Sequence, residues 1–253
     1  MTTAPATRAP ITTAPATRVR VATFNIRTAL APDGRHAWPF RVNALIRAVS
    51  DLDMDVDVLG LQEVTGLQRL SLNRRLSSFE IHGSGRSRCR RGEASPLLVR
   101  DGFADVLATK TRWFGPTPDQ PGSRVPGSQF PRIATTCSLR NGQGVRFDTT
   151  NLHLDHRSEK ARSTSVHQLL DWLDESVPQI IVGDFNANSS IWFCTLPTGE
   201  RIHLCTQCKL RGHVPWIQWQ GALGCHRPCA LQQSFQRAER CGDRSRTRGQ
   251  ACE

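Results

Sequence analysis

Polar side chains suited to binding phosphate and metal follow a short apolar segment at residues 180–186, I-I-V-G-D-F-N. The β-branched run at 180–182 is typical of a strand buried on both faces. Asp184 and Asn186 follow it, and residues two apart in an extended segment point to the same side. A carboxylate holds a hard cation or accepts a proton from water, and an amide NH2 donates to a phosphate oxygen. The pair therefore indicates metal-assisted attack on phosphorus, with a simple polar turn as the alternative.

Three further polar positions stand at the ends of predicted strands. They are Asn25, Glu63 and the group Asn151, His153, Asp155 and His156. Ligand sites of α/β sheets collect beyond strand ends, so we expect these side chains to meet Asp184. Acids, amides and one histidine suit Mg2+ or Mn2+ better than zinc.

Each position also has a structural interpretation. Asn25 is a common turn residue, and a lone histidine in a strand pattern, such as His153, is usually structural. Glu63 ends an apolar strand, where an acid is less ordinary, and this favours a functional role. We expect Asp155 and His156 to support the loop that leaves the strand rather than to touch a substrate.

Hydrophobic periodicity predicts an α/β sandwich with mixed sheets. Helices are predicted at 40–51, 66–76 and 158–176, and strands near 19–26, 56–61 and 180–182. The Asp101-Gly102 turn predicts a hairpin of residues 96–100 with 103–109. Asn141-Gly142 predicts a second hairpin, of residues 133–139 with 145–151. The Pro/Gly-rich segment 115–131 is predicted to be a long surface connection.

Charge favours polyanionic partners. The 253 residues carry a formal net charge of +11, which suits nucleic acid, phosphoinositides or anionic surfaces. Arg86, Arg88, Arg90 and Arg91 either steer phosphate or form a solvated loop, and we favour steering. No secretory signal and no apolar stretch of about 20 residues is present, so a reducing cytoplasmic location without a transmembrane segment is expected.

Composition divides the chain into three parts. Residues 1–18 repeat T-T-A-P-A-T-R and are predicted to be a disordered leader. Residues 19–188 carry the periodic segments and are predicted to form the ordered domain. Residues 189–253 are rich in Cys and Arg, and we expect an atypical tail that is poorly ordered or divergent.

Four strings occur in order: T-F-N-I-R at 23–27, G-L-Q-E-V at 60–64, N-L-H-L-D-H at 151–156 and V-G-D-F-N at 182–186. Together they resemble the endonuclease/exonuclease/phosphatase superfamily, the DNase I-like enzymes, over residues 19–188. The strings at 92–100 and 131–135 are similar to a bacterial branch of it. The resemblance implies a four-layer α/β sandwich with two mixed sheets, incomplete at the C-terminal end, and Mg2+-dependent hydrolysis of phosphoester bonds.

The resemblance also implies a role for each matching residue. Glu63, Asn25 and Asp184 would form the metal site, and Asp184 would orient or deprotonate the attacking water. His153 and Asn186 would act on the scissile phosphate. The residues implied to bind phosphate or substrate are Asn25, Asn151, His153, Asn186 and, more weakly, Glu93.

The tail departs from the family pattern. Members continue with an R-I-D-W-I-like string and an S-D-H-like string, and neither is present after Asn188; the only tail aspartate is Asp243. This predicts impaired activity, and we expect the second sheet to lack its closing strands. A frame change in the gene near Asn188 would explain both the missing strings and the shift in composition. The alternative is a catalytically inactive remnant that binds phosphate or nucleic acid.

A zinc site in the tail belongs to that alternative. Cys205, Cys208, Cys225 and Cys229 have spacings that suit Zn2+. The tail lacks the turns and apolar anchors of a zinc finger, so chance clustering is favoured. The substrate stays open among nucleic acid, inositol phosphate and lipid headgroups.

Overall fold

Ten strands and three α-helices make up the described part of the chain. The computed structural model describes residues 19–50, 56–186, 194–195 and 201–206. In chain order the elements are β1 (Val21–Asn25), α1 (Trp38–Ser50), β2 (Val58–Gln62), α2 (Gly66–Arg75), β3 (Phe79–His82), β4 (Leu97–Arg100), β5 (Ala104–Phe114), β6 (Arg132–Asn141), β7 (Arg146–His153), α3 (Glu159–Trp172), β8 (Gln179–Asp184), β9 (Cys194–Thr195) and β10 (Arg201–Thr206). A short 3-10 helix, Gly34–His36, precedes α1.

The strands form two mixed sheets. The four-stranded sheet has the order β1-β2-β4-β3, and the six-stranded sheet has the order β5-β6-β7-β8-β10-β9. β1 and β2 are parallel, as are β7 and β8. The carboxyl ends of these four strands carry the polar residues that the sequence singles out.

Three apolar cores separate four layers. Leu45 of α1 and Leu72 of α2 pack on Leu59 and Leu98 of the four-stranded sheet. Val58, Leu97, Leu139, Phe147 and Val182 are among the residues that fill the space between the two sheets. Leu169 of α3 packs with Leu152 and Ile181 on the outer face of the six-stranded sheet. The predicted four-layer sandwich of two mixed sheets is confirmed.

A glycine lets the two sheets approach closely near the strand ends. A Cβ at Gly60 would lie 2.8 Å from Val182 Cγ2 and 3.0 Å from the side chain of Asn151. Real Cβ atoms do not approach side chains this closely, so β2 and β8 reach this separation because residue 60 has no side chain. The close approach brings Glu63 and Asp184 to one place.

One predicted hairpin is confirmed and the other is wrong. β6 and β7 pair antiparallel across Asn141-Gly142. β4 pairs instead with β2 and β3, while β5 pairs with β6 in the other sheet. Both edges of β4 are already occupied, so the Asp101-Gly102 turn carries the chain between sheets. Phe103 then enters the core between the sheets and meets Phe147 edge-on, with ring centroids 6.4 Å apart.

The six-stranded sheet includes two strands that follow β8 in the chain. β10 pairs parallel with β8, and β9 pairs antiparallel with β10. The leader at 1–18, most of the tail and the side chains of the four candidate zinc-binding cysteines lie outside the described residues. Within the described residues, no helix has the length and apolar character needed to cross a membrane.

Candidate active site

A cavity of about 490 Å³ opens where β1, β2, β7 and β8 end. Its lining combines three acids, three arginines, two histidines, two amides and one aromatic ring. The lining residues are Asn25, Arg27, Glu63, Arg86, Glu93, Phe130, Arg132, His153, His156, Asp184 and Asn186. The cavity therefore contains every predicted site residue except Asn151.

Strand register explains how distant residues meet. Asn25 is paired with Gln62 at the ends of β1 and β2, and His153 is paired with Asp184 at the ends of β7 and β8. Glu63 follows directly after β2. Parallel strands end at one edge of a sheet, and the close packing of the two sheets places both edges around one space.

Backbone strain is concentrated at this edge. Among the described residues, four non-glycine residues have positive φ, and three of them line the cavity: Arg27 at 54°, Glu63 at 63° and Asn186 at 48°. Such conformations persist where the surrounding structure imposes them, and they cluster at functional sites. The strained backbone turns these side chains into the cavity.

Two carboxylates are held together by one amide. Asn25 Nδ2 donates to Glu63 Oε1 at 2.9 Å and to Asp184 Oδ2 at 3.0 Å. Its amide oxygen, the atom able to bind a cation, accepts the backbone N–H of Arg27 at 2.9 Å. The backbone N–H of Thr28 donates to Glu63 Oε2 at 2.8 Å. In this arrangement Asn25 positions the carboxylates, and its role as a metal ligand stays a prediction.

His153 stands beside these carboxylates in neutral form. Its Nε2 lies 3.9 Å from Asp184 Oδ2, and the residue is only 8% exposed. Burial, together with the positive charge of Arg132, lowers the pKa of His153 to about 4. The neutral imidazole is suited to donate a hydrogen bond, and above about pH 5 it holds no second proton to transfer.

Asn186 reaches the cavity by a different route from the one predicted. β8 ends at Asp184, and the positive φ of Asn186 shows that the extended alternation does not continue. The side-chain Nδ2 donates to the carbonyl oxygen of Leu154 at 3.0 Å, and the backbone N–H donates to Asp184 Oδ1 at 2.9 Å. The amide NH2 has a second hydrogen for a ligand. Phe185 is buried in the core, as expected.

The structure does not bring Asn151 to the cavity, so its phosphate-binding role stays a prediction. Its side chain is fully buried between the sheets and does not line the cavity. Nδ2 donates to the carbonyl oxygens of Leu61 at 2.8 Å and Pro96 at 2.7 Å, while Oδ1 accepts from Gln62 Nε2 at 2.6 Å. Asn151 therefore ties β7 to the four-stranded sheet beneath the site.

Arginines form another part of the cavity lining. We define the arginine wall as Arg86, Glu93, Phe130, Arg132 and His156, and the carboxylate wall as Asn25, Glu63, Asp184 and Asn186. Arg86 Nη1 pairs with Glu93 Oε2 at 2.9 Å, and its guanidinium lies 4.8 Å from the Phe130 ring centroid. Arg132 Nη2 donates to His156 Nδ1 at 3.0 Å. Glu93 thus belongs to the cavity, but its carboxylate is engaged by an arginine.

Asp155 anchors the segment that presents this wall. Its carboxylate accepts Ser128 Oγ at 2.6 Å and the backbone N–H groups of Arg157 and Ser158 at 2.9 and 2.8 Å. Burial alone would raise the pKa of Asp155, but these hydrogen bonds outweigh it and lower the pKa to about 2. The supporting role expected of Asp155 is confirmed, whereas His156 lines the cavity, contrary to expectation.

Sequence reasoning missed Arg27, Phe130 and Arg132 as lining residues. Arg132 lies in the P-R-I-A-T string at 131–135, which carried the resemblance without a role for the arginine. Gln68 was also missed. It is fully buried and accepts the backbone N–H groups of Ala29 and Thr65, which fixes the segment after β1 against α2.

The four arginines of the loop at 83–92 differ in whether they reach the cavity. Arg86 enters the cavity, whereas the guanidinium of Arg90 lies 5.3 Å from the Trp113 ring centroid. Neither Arg88 nor Arg91 is among the cavity residues. The steering interpretation is therefore retained for Arg86 alone.

The donor set of the carboxylate wall suits a hard divalent cation. Two carboxylates face one space, and oxygen ligands are those that Mg2+ and Mn2+ prefer. No group of three or more His, Cys, Asp or Glu side chains arranged for a metal occurs in the described ranges. A cation here would rest on Glu63 and Asp184 and complete its coordination with water or substrate.

Comparisons with solved structures support the fold assignment. An endonuclease/exonuclease/phosphatase from Bacteroides vulgatus is 31% identical, with a TM-score of 0.65 over 69% of this chain and 68% of that one. A mannosyl-6-phosphatase from Bacteroides thetaiotaomicron is 28% identical, with a TM-score of 0.63 over 68% of this chain and 67% of its own. TDP2 of D. rerio, complexed with single-strand DNA product, shares the fold at 16% identity, with a TM-score of 0.55 over 68% of this chain and 62% of its own.

The match to these proteins is partial in length. An endonuclease/exonuclease/phosphatase family protein from Bacteroides thetaiotaomicron is 29% identical to this chain, with a TM-score of 0.63. The chain covers 64% of that protein's length. No curated protein matches the chain. The model of the Endonuclease/Exonuclease/phosphatase family matches residues 22–229. This chain, with its polar residues gathered at the ends of two packed sheets, belongs to the endonuclease/exonuclease/phosphatase family.

Proposed function

We propose that the chain hydrolyses phosphoester bonds at this cavity with the help of a divalent cation. The observation that carries the proposal is the convergence of Glu63, Asp184 and His153 around one space. The family relationship and the phosphatase among the solved relatives support the same reaction class.

Asp184 is the proposed general base. Its Oδ1 is held by the backbone N–H of Asn186 and its Oδ2 by Asn25, so the carboxylate has a fixed direction into the cavity. A water oxygen would form the new P–O bond, its proton would pass to Asp184, and the ester P–O bond would break. The leaving oxygen would then be protonated from solvent.

His153 and Asn186 are the proposed donors to the phosphate. His153 is neutral because burial lowers its pKa, so its N–H supplies a hydrogen bond to a phosphoryl oxygen. Asn186 supplies its remaining amide hydrogen. Phosphoryl transfer depends mainly on alignment and charge stabilisation, which fixed donors provide.

The carboxylates of Glu63 and Asp184 would hold the proposed Mg2+ or Mn2+, with Asn25 keeping them in register. When bound, the cation supplies Lewis-acid polarisation of the phosphoryl group. Without it, two carboxylates facing one cavity would repel the substrate anion. One assay tests which cation is used and whether this chain is active. Activity needs a test because the R-I-D-W-I-like and S-D-H-like strings are not present in the tail.

The assay compares p-nitrophenyl phosphate with bis(p-nitrophenyl) phosphate, using the full chain with Mg2+, with Mn2+ and with EDTA. We expect metal-dependent hydrolysis. Asp184→Asn should lower kcat by about 10³-fold, since it removes the base and half of the carboxylate pair. Asp105→Asn is the matched control, because Asp105 is 70% exposed and pairs with Arg140 away from the cavity.

The alternative is a phosphate-binding protein without turnover. Its support is the absence of the two family strings from the tail. If the folded chain binds phosphate but hydrolyses neither substrate with either cation, this alternative replaces the proposal.

A further inference from the structure

Arg132 is a buried cation that makes no direct ion pair with a carboxylate of the described residues. Burial lowers its pKa, while Asp155, Glu93 and Asp184 act on its charge only from a distance and raise that pKa against the effect of burial. Arg132 is 5% exposed, and no carboxylate oxygen of the described residues lies within 4.0 Å of its guanidinium. Its Nη2 donates to His156, while Nε is buried and has no hydrogen-bond partner. A buried charge without a direct partner destabilises the folded state. The fold therefore keeps a destabilising group at this position.

The other two guanidiniums of the cavity differ from it. Arg27 pairs with Asp33 at 2.6 Å, and Arg86 pairs with Glu93 at 2.9 Å. Both have their charge compensated within the protein. Among the arginines that line the cavity in the described residues, only Arg132 lacks a carboxylate partner.

Arg132 also shares its surroundings with the groups proposed to act on the phosphate. A small crevice joined to the same residues is lined by Arg132, His153 and Glu63. The guanidinium and the imidazole therefore line the same crevice, together with Glu63 of the carboxylate wall.

We propose that Arg132 binds a third unesterified oxygen of the substrate phosphate, so that the preferred substrates are phosphomonoesters. This inference rests on the proposed function and narrows its substrate class. In the transition state three equatorial oxygens share the negative charge. His153 and Asn186 face the phosphate from β7 and β8, and Arg132 adds a donor from the start of β6.

A phosphodiester satisfies this site less well. One of its equatorial oxygens carries a second organic group. That organic group would contact the buried guanidinium of Arg132, or the guanidinium would have no phosphate oxygen to bind. A monoester presents three anionic oxygens and carries up to two negative charges. A guanidinium donates to such oxygens in a planar fork, which no single amide or imidazole reproduces.

The experiment measures inorganic phosphate binding, by equilibrium dialysis and by phosphate-induced thermal shift, in Arg132→Gln and in the wild-type chain. Arg140→Gln is the matched control, because Arg140 lies on the same strand and is 49% exposed. We expect phosphate affinity to fall about 30-fold in Arg132→Gln and to be unchanged in the control. We also expect Tm of Arg132→Gln without phosphate to equal or exceed that of the wild type, because a buried charge without a direct partner has been removed.

Kinetics on the same variants test the substrate class. For Arg132→Gln, kcat/KM for p-nitrophenyl phosphate should fall about 100-fold and that for bis(p-nitrophenyl) phosphate less than about 10-fold. Arg132→Lys keeps the charge but loses the fork, so its phosphate affinity should lie between the wild type and Arg132→Gln. Equal losses on both substrates, or unchanged phosphate affinity, would overturn the inference and leave the proposed function standing.

The stability of the two variants provides an independent test. If neither Arg132→Gln nor Arg132→Lys folds, Arg132 is a structural residue and the inference is wrong. If the wild type hydrolyses neither substrate, the proposed function fails, while the dialysis still decides whether Arg132 is the phosphate-binding cation.

Discussion

The two walls of the cavity are built in different ways. Backbone geometry forms the carboxylate wall: Asn25, Glu63 and Asp184 stand at or just beyond the ends of paired strands, and hydrogen bonds join all three. The arginine wall combines residues of the loop at 83–96 and the connection at 115–131 with Arg132 at the start of β6 and His156 after β7, and side chains hold it in place. A buried aspartate, Asp155, anchors that connection through Ser128.

This difference suggests a division of work. The carboxylate wall is satisfied internally and is suited to hold a cation and activate water. The arginine wall contains one buried cation without a directly paired carboxylate and is suited to recognise the anion. Chemistry therefore depends on the carboxyl ends of paired strands, and selectivity depends on Arg132 at the start of β6 and on the loops beside it, which vary more readily between related proteins.

The largest effect is expected from breaking the carboxylate wall. Glu63→Gln removes one of two charges that would hold the cation, and kcat/KM should fall about 10³-fold. Stabilisation by Mg2+ in thermal unfolding should also disappear. Glu80→Gln is the control, because Glu80 lies on β3 and is 70% exposed. Full activity in Glu63→Gln would show that the carboxylate wall is not the metal site.

An intermediate effect is expected from loosening the arginine wall. Asp155→Asn weakens the contacts that hold Ser128 and the turn before α3. The pKa of Asp155 is about 2 in the folded chain, against a usual value of 3.8. Because the folded pKa is lowered, this stability is present above pH 3.8 and is lost as the pH falls through about 2. The variant should lose about 2 kcal/mol of unfolding free energy at pH 7.

Urea unfolding of both chains at pH 7, 4 and 2 measures this difference. The gap between wild type and Asp155→Asn should narrow as the pH falls. Asp171→Asn, at an exposed position of α3, should show no gap. A gap that is constant across pH would assign the effect of Asp155→Asn to packing rather than to its ionised carboxylate.

The smallest effect is expected within the arginine wall itself. Glu93 neutralises Arg86 at 2.9 Å, and both side chains are partly buried, at 19% and 17% exposed. Glu93→Gln should free Arg86 for the substrate anion and raise phosphate affinity about 3-fold. This change corresponds to an interaction free energy of under about 1 kcal/mol between Arg86 and Glu93. Equilibrium dialysis measures the change. A loss of Mg2+ binding in Glu93→Gln would instead place Glu93 in the metal site.

The sequence predicted the carboxylate wall better than the arginine wall. Asn25, Glu63, Asp184 and Asn186 each follow a readable apolar run, and strand ends of α/β sheets are where sites form. Asn151 was predicted to bind phosphate because it lies on the same strand as His153. Strand periodicity does not show which of these residues is buried between the two sheets. Arg132 was missed because no short sequence pattern marks an arginine that is buried without a directly paired carboxylate.

The hairpin error has the same origin. Asp101-Gly102 is a strong turn signal, and the turn exists, but turn chemistry does not choose the sheet that the next strand joins. That choice depends on which edges remain free, and β3 had already taken the edge of β4.

The amino-acid sequence by itself determined the family, the α/β class and the strand ends that carry the carboxylates, because apolar periodicity and short polar strings are local properties. Only the tertiary structure decided which side chains share the cavity, that Asn25 bridges Glu63 and Asp184, and that Arg132 is buried without a directly paired carboxylate. Those facts depend on distances between residues far apart in the chain, and packing of the two sheets sets these distances.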